Sequence, residues 1–359
     1  MRVAILAHEQ FPERAKTAVG ILRYGDDEVV AVLDRTRAER GASEPSAAAA
    51  SGHSPRAGDH VRDHVSDVQD APIVKGIDDV DEPIDALVVG IAPIGGGFDE
   101  TWKPDIRGAL ERGCDVVAGL HYFLAEDEEF AGLADEHGCE LRDLRKPPAD
   151  LTVSAGTASE VDAEVVLTVG TDCSSGKMTT TFELARAARE RGVDAGVVPT
   201  GQTGIAIENY GIAVDRVVSD FAAGAVERMV EERAREYDVL FVEGQGSLAH
   251  PAYSGVTTSI LHGAMPDRLI LCHVAGRDTV HGYEHVPISP PDECAALYES
   301  MADPVAPADI VAGALNTRNL EDNAARAAVE TYADAIDAPA TNPVRFDVAE
   351  ILPAALGEE

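Results

Sequence analysis

Lysine is scarce in this 359-residue sequence: 5 of the 29 basic residues are lysines and 24 are arginines, against 64 acidic residues. The formal net charge of -35 argues against a basic face for nucleic acid. The acidic residues are dispersed along the chain, which argues against a disordered acidic tail. An acid-rich, lysine-poor surface resembles those of proteins from salt-loving microbes, where concentrated salt screens self-repulsion. Long apolar runs are also missing. No stretch approaches the roughly 18 uninterrupted apolar residues of a membrane span. The opening "MRVAILAHEQFPERAK" is too short in its apolar part, and charged too soon, for a secretory leader. Five cysteines, at 114, 139, 173, 272 and 294, include no Cys-x-x-Cys pair. Scattered thiols of this kind suit reduced, cytoplasmic protein.

What is present is alternation. "RVAILA", "RAKTAVGILRYG" and "EVVAVLD" read as strand, helix and strand, a βαβ unit of a parallel sheet. Residues 41–67 then lose periodicity, and their Ala, Ser, Gly and Pro content predicts a flexible insertion. Of its His53, His60 and His64, the i, i+4 pair His60/His64 has a spacing that a metal could use, but nothing else supports a site and the segment is read as a solvated loop. Alternation resumes at "PIDALVVGIAPIGGGFDE", a strand leaving through Gly95, Gly96 and Gly97. These do not form Gly-x-Gly-x-x-Gly and are read as a turn. Paired prolines in "RKPPADLTVSAG" place a domain boundary, giving 1–150 and 151–359. At 359 residues, two domains are the natural division. Repeated strand-loop-helix units after the boundary predict a second, mostly parallel α/β sheet with helices on both faces.

The strand "AEVVLTVG" runs into "VGTDCSSGKMTT". A strand, a glycine-bounded loop and a helix start form the setting of a phosphate cradle, whose backbone N–H groups and helix dipole hold an anion. The usual form is Gly-x-x-x-x-Gly-Lys-Ser/Thr. Here five residues separate Gly170 from Gly176, and Met178 follows Lys177 before Thr179 and Thr180. Gly-Thr-Asp-x-x-x-Gly-Lys resembles the loop of dethiobiotin synthetase and related P-loop enzymes, which share the longer spacing. Met178 is a departure, because a thioether cannot ligate Mg²⁺ as a hydroxyl does. The candidate cradle is Gly170, Thr171, Asp172, Cys173, Ser174, Ser175, Gly176, Lys177, Met178, Thr179 and Thr180. Cys173 lacks a paired histidine signature and is read as a backbone contributor, not a nucleophile.

Other strand ends carry polar groups. "VLFVEGQGSLAHP" delivers Glu243, followed by Gln245, Ser247 and His250. Glu243 can hold Mg²⁺ or act as a base; His250 is either a structural residue or a second base candidate. "PTGQTG" offers Thr200, Gln202 and Thr203. Asp278 follows "LILCHVAGR", and Asn316, after "IVAGAL", can read a nucleobase edge. Together they outline a rim of the kind that borders a ligand crevice in an open α/β sheet.

With these residues assembled, the chain resembles the DgcN-like family, typified by D-glutamate N-acetyltransferase. The stretches that carry the resemblance are "AKTAVGILRY", "VVGIAPIGGG", "GLHYFL", "VGTDCSSGKMTTT", "VEGQGSLAHPAYSG" and "ALNTRNL". They span nearly the whole chain outside the insertion. The resemblance implies a Rossmann-like N-terminal domain and a P-loop NTPase-like C-terminal domain. It also implies acetyl transfer from acetyl-CoA to the amine of a D-amino acid, D-glutamate above all. The cradle, with Gln202 and Asn316, would then hold the phosphorylated cosubstrate. Thr203, Gln245, Ser247 and Asp278 would face the small-molecule acceptor, and no metal ligands are assigned. Glu243 and His250 are the base candidates, and Lys177, Gln202 or backbone N–H groups the oxyanion or phosphate donors. Two rival readings stand beside it. One is an ATP- and Mg²⁺-dependent ligase or kinase-like enzyme of the dethiobiotin synthetase type. The other is a non-catalytic nucleotide-binding regulator. Homo-oligomerisation is left open.

Overall fold

The computed structural model describes residues 1–43, 59–91, 93 and 97–358. The chain divides into two compact units, one of 1–146 with 205–209, the other of 147–204 with 210–359. Both are α/β, and among the described residues no helix is long and apolar enough to cross a membrane.

The first unit is built on β1 (Arg2–Leu6), β2 (Glu28–Leu33), β3 (Ile73–Val74), β4 (Ala86–Val89), β5 (Asp115–Ala118) and β6 (Leu141–Asp143). These form a parallel sheet in the order β3-β2-β1-β4-β5-β6. The direction of winding reverses between β1 and β4, as in doubly wound dinucleotide folds. Helices α1 (Lys16–Tyr24), α2 (Arg35–Ser43), α3 (Lys103–Glu111) and α4 (Glu128–His137) cover the sheet. The ends of α4 show why it forms where it does. Asp127 accepts the backbone N–H groups of Glu129 and Phe130, and Gly138 closes the helix in the left-handed region, the normal division of labour between the two caps.

Of the expected flexible insertion, 44–58, including His53, lie outside the described residues, as do Gly95 and Gly96 of the glycine turn. The remainder differs from the expectation. Residues 41–43 end α2, and 59–67 fold back as a short 3₁₀ turn with Val61 fully buried. His64 meets Asp59 at 2.8 Å and His60 approaches Asp70 at 3.4 Å. Low apolar content concealed a segment anchored by one valine and by the contacts of two histidines with aspartates.

The second unit holds β7 (Glu164–Gly170), β8 (Ala195–Val198), β9 (Val239–Val242), β10 (Arg268–Val274), β11 (Thr279–Val280), β12 (Tyr283–Pro287), β13 (Asp309–Asn316) and β14 (Ala340–Thr341). Six of them make a parallel sheet ordered β14-β13-β10-β7-β9-β8, and β11 and β12 pair as an antiparallel hairpin. Its helices are α5 (Lys177–Glu190), α7 (Ser219–Arg233), α8 (Ser254–Ala264), α9 (Pro291–Ala302), α10 (Asp322–Ile336) and α11 (Leu352–Ala355). Between α5 and α7 in the chain runs α6 (Gln202–Glu208), whose residues from Ile205 onward belong to the first unit. Central strands β7, β9 and β10 are buried over nearly their whole length. That explains their unbroken apolar sequences, since a parallel strand covered on both faces cannot alternate. Each fully buried Leu, Ile or Val contributes about 1.5–3 kcal/mol, so the sheet centre is a rigid base for the loops at its C-terminal edge.

Candidate functional site

The loop from Gly170 to Lys177 leaves the central strand β7 and opens α5, as the spacing predicts. Gly176 precedes the helix at φ 111°, a conformation that L side chains avoid. The lysine that follows is 94% buried, and its Nζ donates to the carbonyls of Asp172 at 2.8 Å and Gly246 at 2.7 Å. A longer contact of 3.4 Å reaches Ser175 Oγ. Lys177 therefore ties the cradle to the loop after β9. The close approach of these segments also needs Gly244, where a Cβ would lie 1.8 Å from Thr168 O.

The hydroxyls after the lysine are not arranged as in a metal-nucleotide loop. Met178 is buried, and Thr180 Oγ1 donates back to Gly176 O at 3.1 Å. Thr181, one position further, bonds Lys177 O at 2.9 Å. Thr179 is half-buried on α5, and Ser174 is exposed at the loop tip. Ser175 lies buried beneath it.

Asp172 organises the middle of the loop. Its fully buried carboxylate accepts Cys173 N–H at 2.7 Å, Arg277 Nη1 at 2.9 Å and His281 N–H at 2.9 Å. The β11–β12 hairpin and the residue before it are thus fastened to the cradle. The same guanidinium nitrogen donates to Cys173 O at 2.9 Å. Burial, with Asp172 adding to it, pushes the Cys173 thiol up, the opposite of an activated nucleophile. Thr171 Oγ1 meets His273 Nδ1 at 2.8 Å, and burial together with Arg277 drives His273 down to about 4, so that imidazole is neutral at pH 7.

After β9, Glu243 is buried, and its Oε2 accepts the Gly201 N–H at 3.3 Å. Gln245 Nε2 donates to Thr200 O at 2.5 Å, and Thr200 Oγ1 donates to Glu243 O at 2.6 Å. Glu243, Gln245, Thr200 and Gly201 therefore form one network beside α6, which Gln202 and Thr203 open. His250 belongs to a different group. Its Nδ1 accepts the Ala252 N–H at 3.1 Å, and its Nε2 lies 3.9 Å from Asp172 Oδ1. A neutral imidazole that accepts at Nδ1 carries its proton on Nε2. With Nδ1 so occupied, Nε2 is the nitrogen of His250 left to donate. Burial, the largest influence, lowers its pKa, Asp172 raises it, and Lys177 and His281 lower it further.

The far side of the rim is more loosely drawn in. Asn316 ends β13 and accepts Arg318 N–H at 3.2 Å, a local turn. Asp278 is exposed at the foot of the hairpin. Two organising residues went unnoticed in the sequence. Arg277 stands beside Asp278, and its only signal was a basic group at a strand end. Tyr298 of α9 is fully buried, donates to Gly170 O at 2.8 Å and accepts N–H groups from Gly170 and Leu248 at 3.4 and 3.3 Å. Its own stretch of sequence carries no motif that marks it.

The chain is similar to known proteins over most of its length. A model described as a domain of unknown function, the DUF1611_C P-loop domain, matches residues 152–352, and the DUF1611_N Rossmann-like domain matches residues 54–147. A curated protein of a Pseudoalteromonas species, named D-glutamate N-acetyltransferase, is 35% identical over 267 residues, covering 74% of this chain and 80% of its own. One of the same name from Tritonibacter scottomollicae is 34% identical over 276 residues, covering 75% and 80%. The crystal structure of a DUF1611 family protein from Anabaena variabilis superposes with a TM-score of 0.88 at 38% identity, covering 99% of both chains. With both domains matched in order and a full-length structural counterpart, the chain belongs to the DUF1611 family of paired Rossmann-like and P-loop domains.

Proposed function

We propose that the protein is an N-acetyltransferase that moves the acetyl group of acetyl-CoA to the amine of a D-amino acid, D-glutamate above all. The observation that carries this reading is the 35% and 34% identity, over about three quarters of the chain, to proteins named D-glutamate N-acetyltransferase. The cradle supports it. CoA brings a pyrophosphate and a further phosphate, and a loop of N–H groups with a buried lysine suits phosphate whether or not a metal accompanies it. Met178 and the back-bonded Thr180 fit a phosphate ligand better than a metal-nucleotide one.

In the reaction the acceptor amine attacks the thioester carbonyl, the C–N bond forms and the C–S bond breaks. One proton leaves the nitrogen and one reaches the departing thiolate, giving N-acetyl amino acid and CoA. An α-ammonium is mostly protonated at pH 7, so a base is needed, and Glu243 is the carboxylate we assign to it. We place the reaction in the cytoplasm of a salt-adapted cell, in keeping with the net charge of -35.

The test is a panel of D- and L-amino acids with acetyl-CoA, in EDTA and without nucleotide, at high salt. Stoichiometric CoA release with N-acetyl-D-glutamate is the expected result. ATP consumption with no acetylation of any D-amino acid would replace this reading by the ligase-like one.

A further inference from the structure

Among the described residues, two buried side-chain atoms near the cradle have no hydrogen-bond partner, and they lie within one short stretch of the loop after β9: Ser247 Oγ and His250 Nε2. Both residues are 99% buried. Buried polar atoms are normally satisfied, and an exception calls for a cause such as a ligand. The neighbours of Ser247 are both tied to the cradle, Gly246 through its carbonyl to Lys177 Nζ and Leu248 through its N–H to Tyr298 Oη. The ring of His250 is held against Tyr253, with centroids 4.5 Å apart, and edge-on to Tyr283 at 5.3 Å. It is therefore positioned with Nε2 toward Asp172 of the cradle, yet at 3.9 Å it is too far to bond it.

Three uses of this pair differ in where protons sit. A Ser-His-Asp nucleophile would need Nδ1 to donate to the aspartate and Nε2 to accept from the serine. Here Nδ1 already accepts the Ala252 N–H at 3.1 Å, and the aspartate faces the wrong nitrogen. A metal is the second use, because ligand atoms of Asp172, Cys173 and His250 lie within 4.8 Å of one another. A metal on Nε2 would require a proton on Nδ1, where it would oppose the Ala252 N–H. Arg277 on Asp172 and Lys177 nearby also disfavour a cation. The third use keeps the tautomer that the Ala252 N–H favours, with Nε2–H donating to an incoming acceptor.

We propose that Ser247 Oγ and the Nε2–H of His250 form a donor pair for an anionic oxygen beside the phosphate cradle, with His250 neutral and donating throughout. The oxygen belongs either to a phosphate of the bound ligand or to the oxyanion that develops on the thioester carbonyl, and the second case rests on the proposed acetyl transfer. The site has features an oxyanion hole requires: buried donors shielded from water, on a loop that Lys177 Nζ also holds through Gly246 O.

The test uses the full chain labelled with ¹⁵N-histidine, together with Ser247→Ala, His250→Ala and His250→Gln, each checked for an unchanged thermal midpoint. Glutamine keeps an N–H at the ε position but can neither accept a proton nor ligate a metal as imidazole does. The ¹⁵N spectrum of the unmutated protein should show His250 as the Nε2–H tautomer at pH 7. Calorimetry with inorganic pyrophosphate and kinetics with acetyl-CoA then separate the two sources. A roughly fivefold to tenfold weaker pyrophosphate affinity in both alanine variants places the phosphate there. Unchanged affinity with kcat reduced and KM kept places the oxyanion there. In either case His250→Gln should recover most of what His250→Ala loses, with the acidic limb of the pH profile unmoved. The Nδ1–H tautomer, equal losses in Gln and Ala, or Zn²⁺ binding that depends on His250 would overturn the proposal. The tautomer and the pyrophosphate affinities do not depend on acetyl transfer, so the donor pair and the transferase reading fail separately.

Discussion

Lys177 is the one lysine beyond Lys146 in the sequence, and it is buried with two carbonyls on its ammonium. Those carbonyls fix the ammonium in place while contributing no counter-charge of their own. A charge-assisted contact of this kind is worth about 1.5–3 kcal/mol, so Lys177→Ala should weaken acetyl-CoA binding by roughly tenfold or more. Equal affinity in a folded variant would remove Lys177 from phosphate recognition. Glu243 poses a sharper question, since its carboxylate also satisfies the Gly201 N–H. If it is the base, Glu243→Gln should keep CoA affinity and lose about 10²–10⁴-fold in acetyl transfer, with smaller losses at high pH. A lowered thermal midpoint with kcat intact would instead assign it to holding the start of α6.

Among the elements, the chain entering the second unit is held by two carboxylates on α7, Glu231 on Thr157 Oγ1 at 2.7 Å and, with more bonds, Glu227. Glu227 is 95% buried and accepts Ala155, Gly156 and Thr157 N–H groups at 2.5, 2.7 and 2.8 Å and Ser154 Oγ at 2.9 Å. Burial by itself would raise its pKa, but these hydrogen bonds outweigh burial and the net shift is downward from 4.5. A depressed folded value means that Glu227 stabilises the fold above the unfolded pKa. That contribution falls away as pH drops through the folded one. Glu227→Gln should therefore cost about 1–3 kcal/mol near neutrality. The gap from the parent should narrow as pH falls below 4.5. Urea unfolding across that range reads it directly, and a gap independent of pH would show that the carboxylate's charge has no part in the anchoring.

For the whole molecule the dominant quantity is charge, -35 in 359 residues. Many ion pairs lie at the surface, as between Arg107 and Glu129 or Arg2 and Glu28, and exposed pairs contribute little each. They leave a large acidic excess whose self-repulsion opposes compaction. Salt shortens the range of that repulsion to about 3 Å at 1 M, so the thermal midpoint should rise from dilute buffer to multimolar KCl. A flat or falling midpoint over that range would count against salt adaptation.

The α/β class and the phosphate cradle were legible in the residues, for reasons belonging to short stretches of chain. Strands such as "VLFV" and "LILCHV" are apolar throughout because both faces are covered, and helices such as Lys16–Tyr24 stop beside their glycine. The cradle is made largely of backbone, so glycine spacing, a lysine and a helix start are enough to announce it. What the strand ends do was not legible. Arg277 reaches Asp172 across 105 positions, and Tyr298 reaches Gly170 across 128, so nothing near either residue in sequence hints at its partner. The packed turn at Val61 was hidden for the same reason, its valine finding a core supplied by distant strands. His250 shows the division most plainly. Its residue type allows base, ligand or donor, and only the fold brings the Ala252 N–H to its Nδ1, the contact on which the proposed donor role rests.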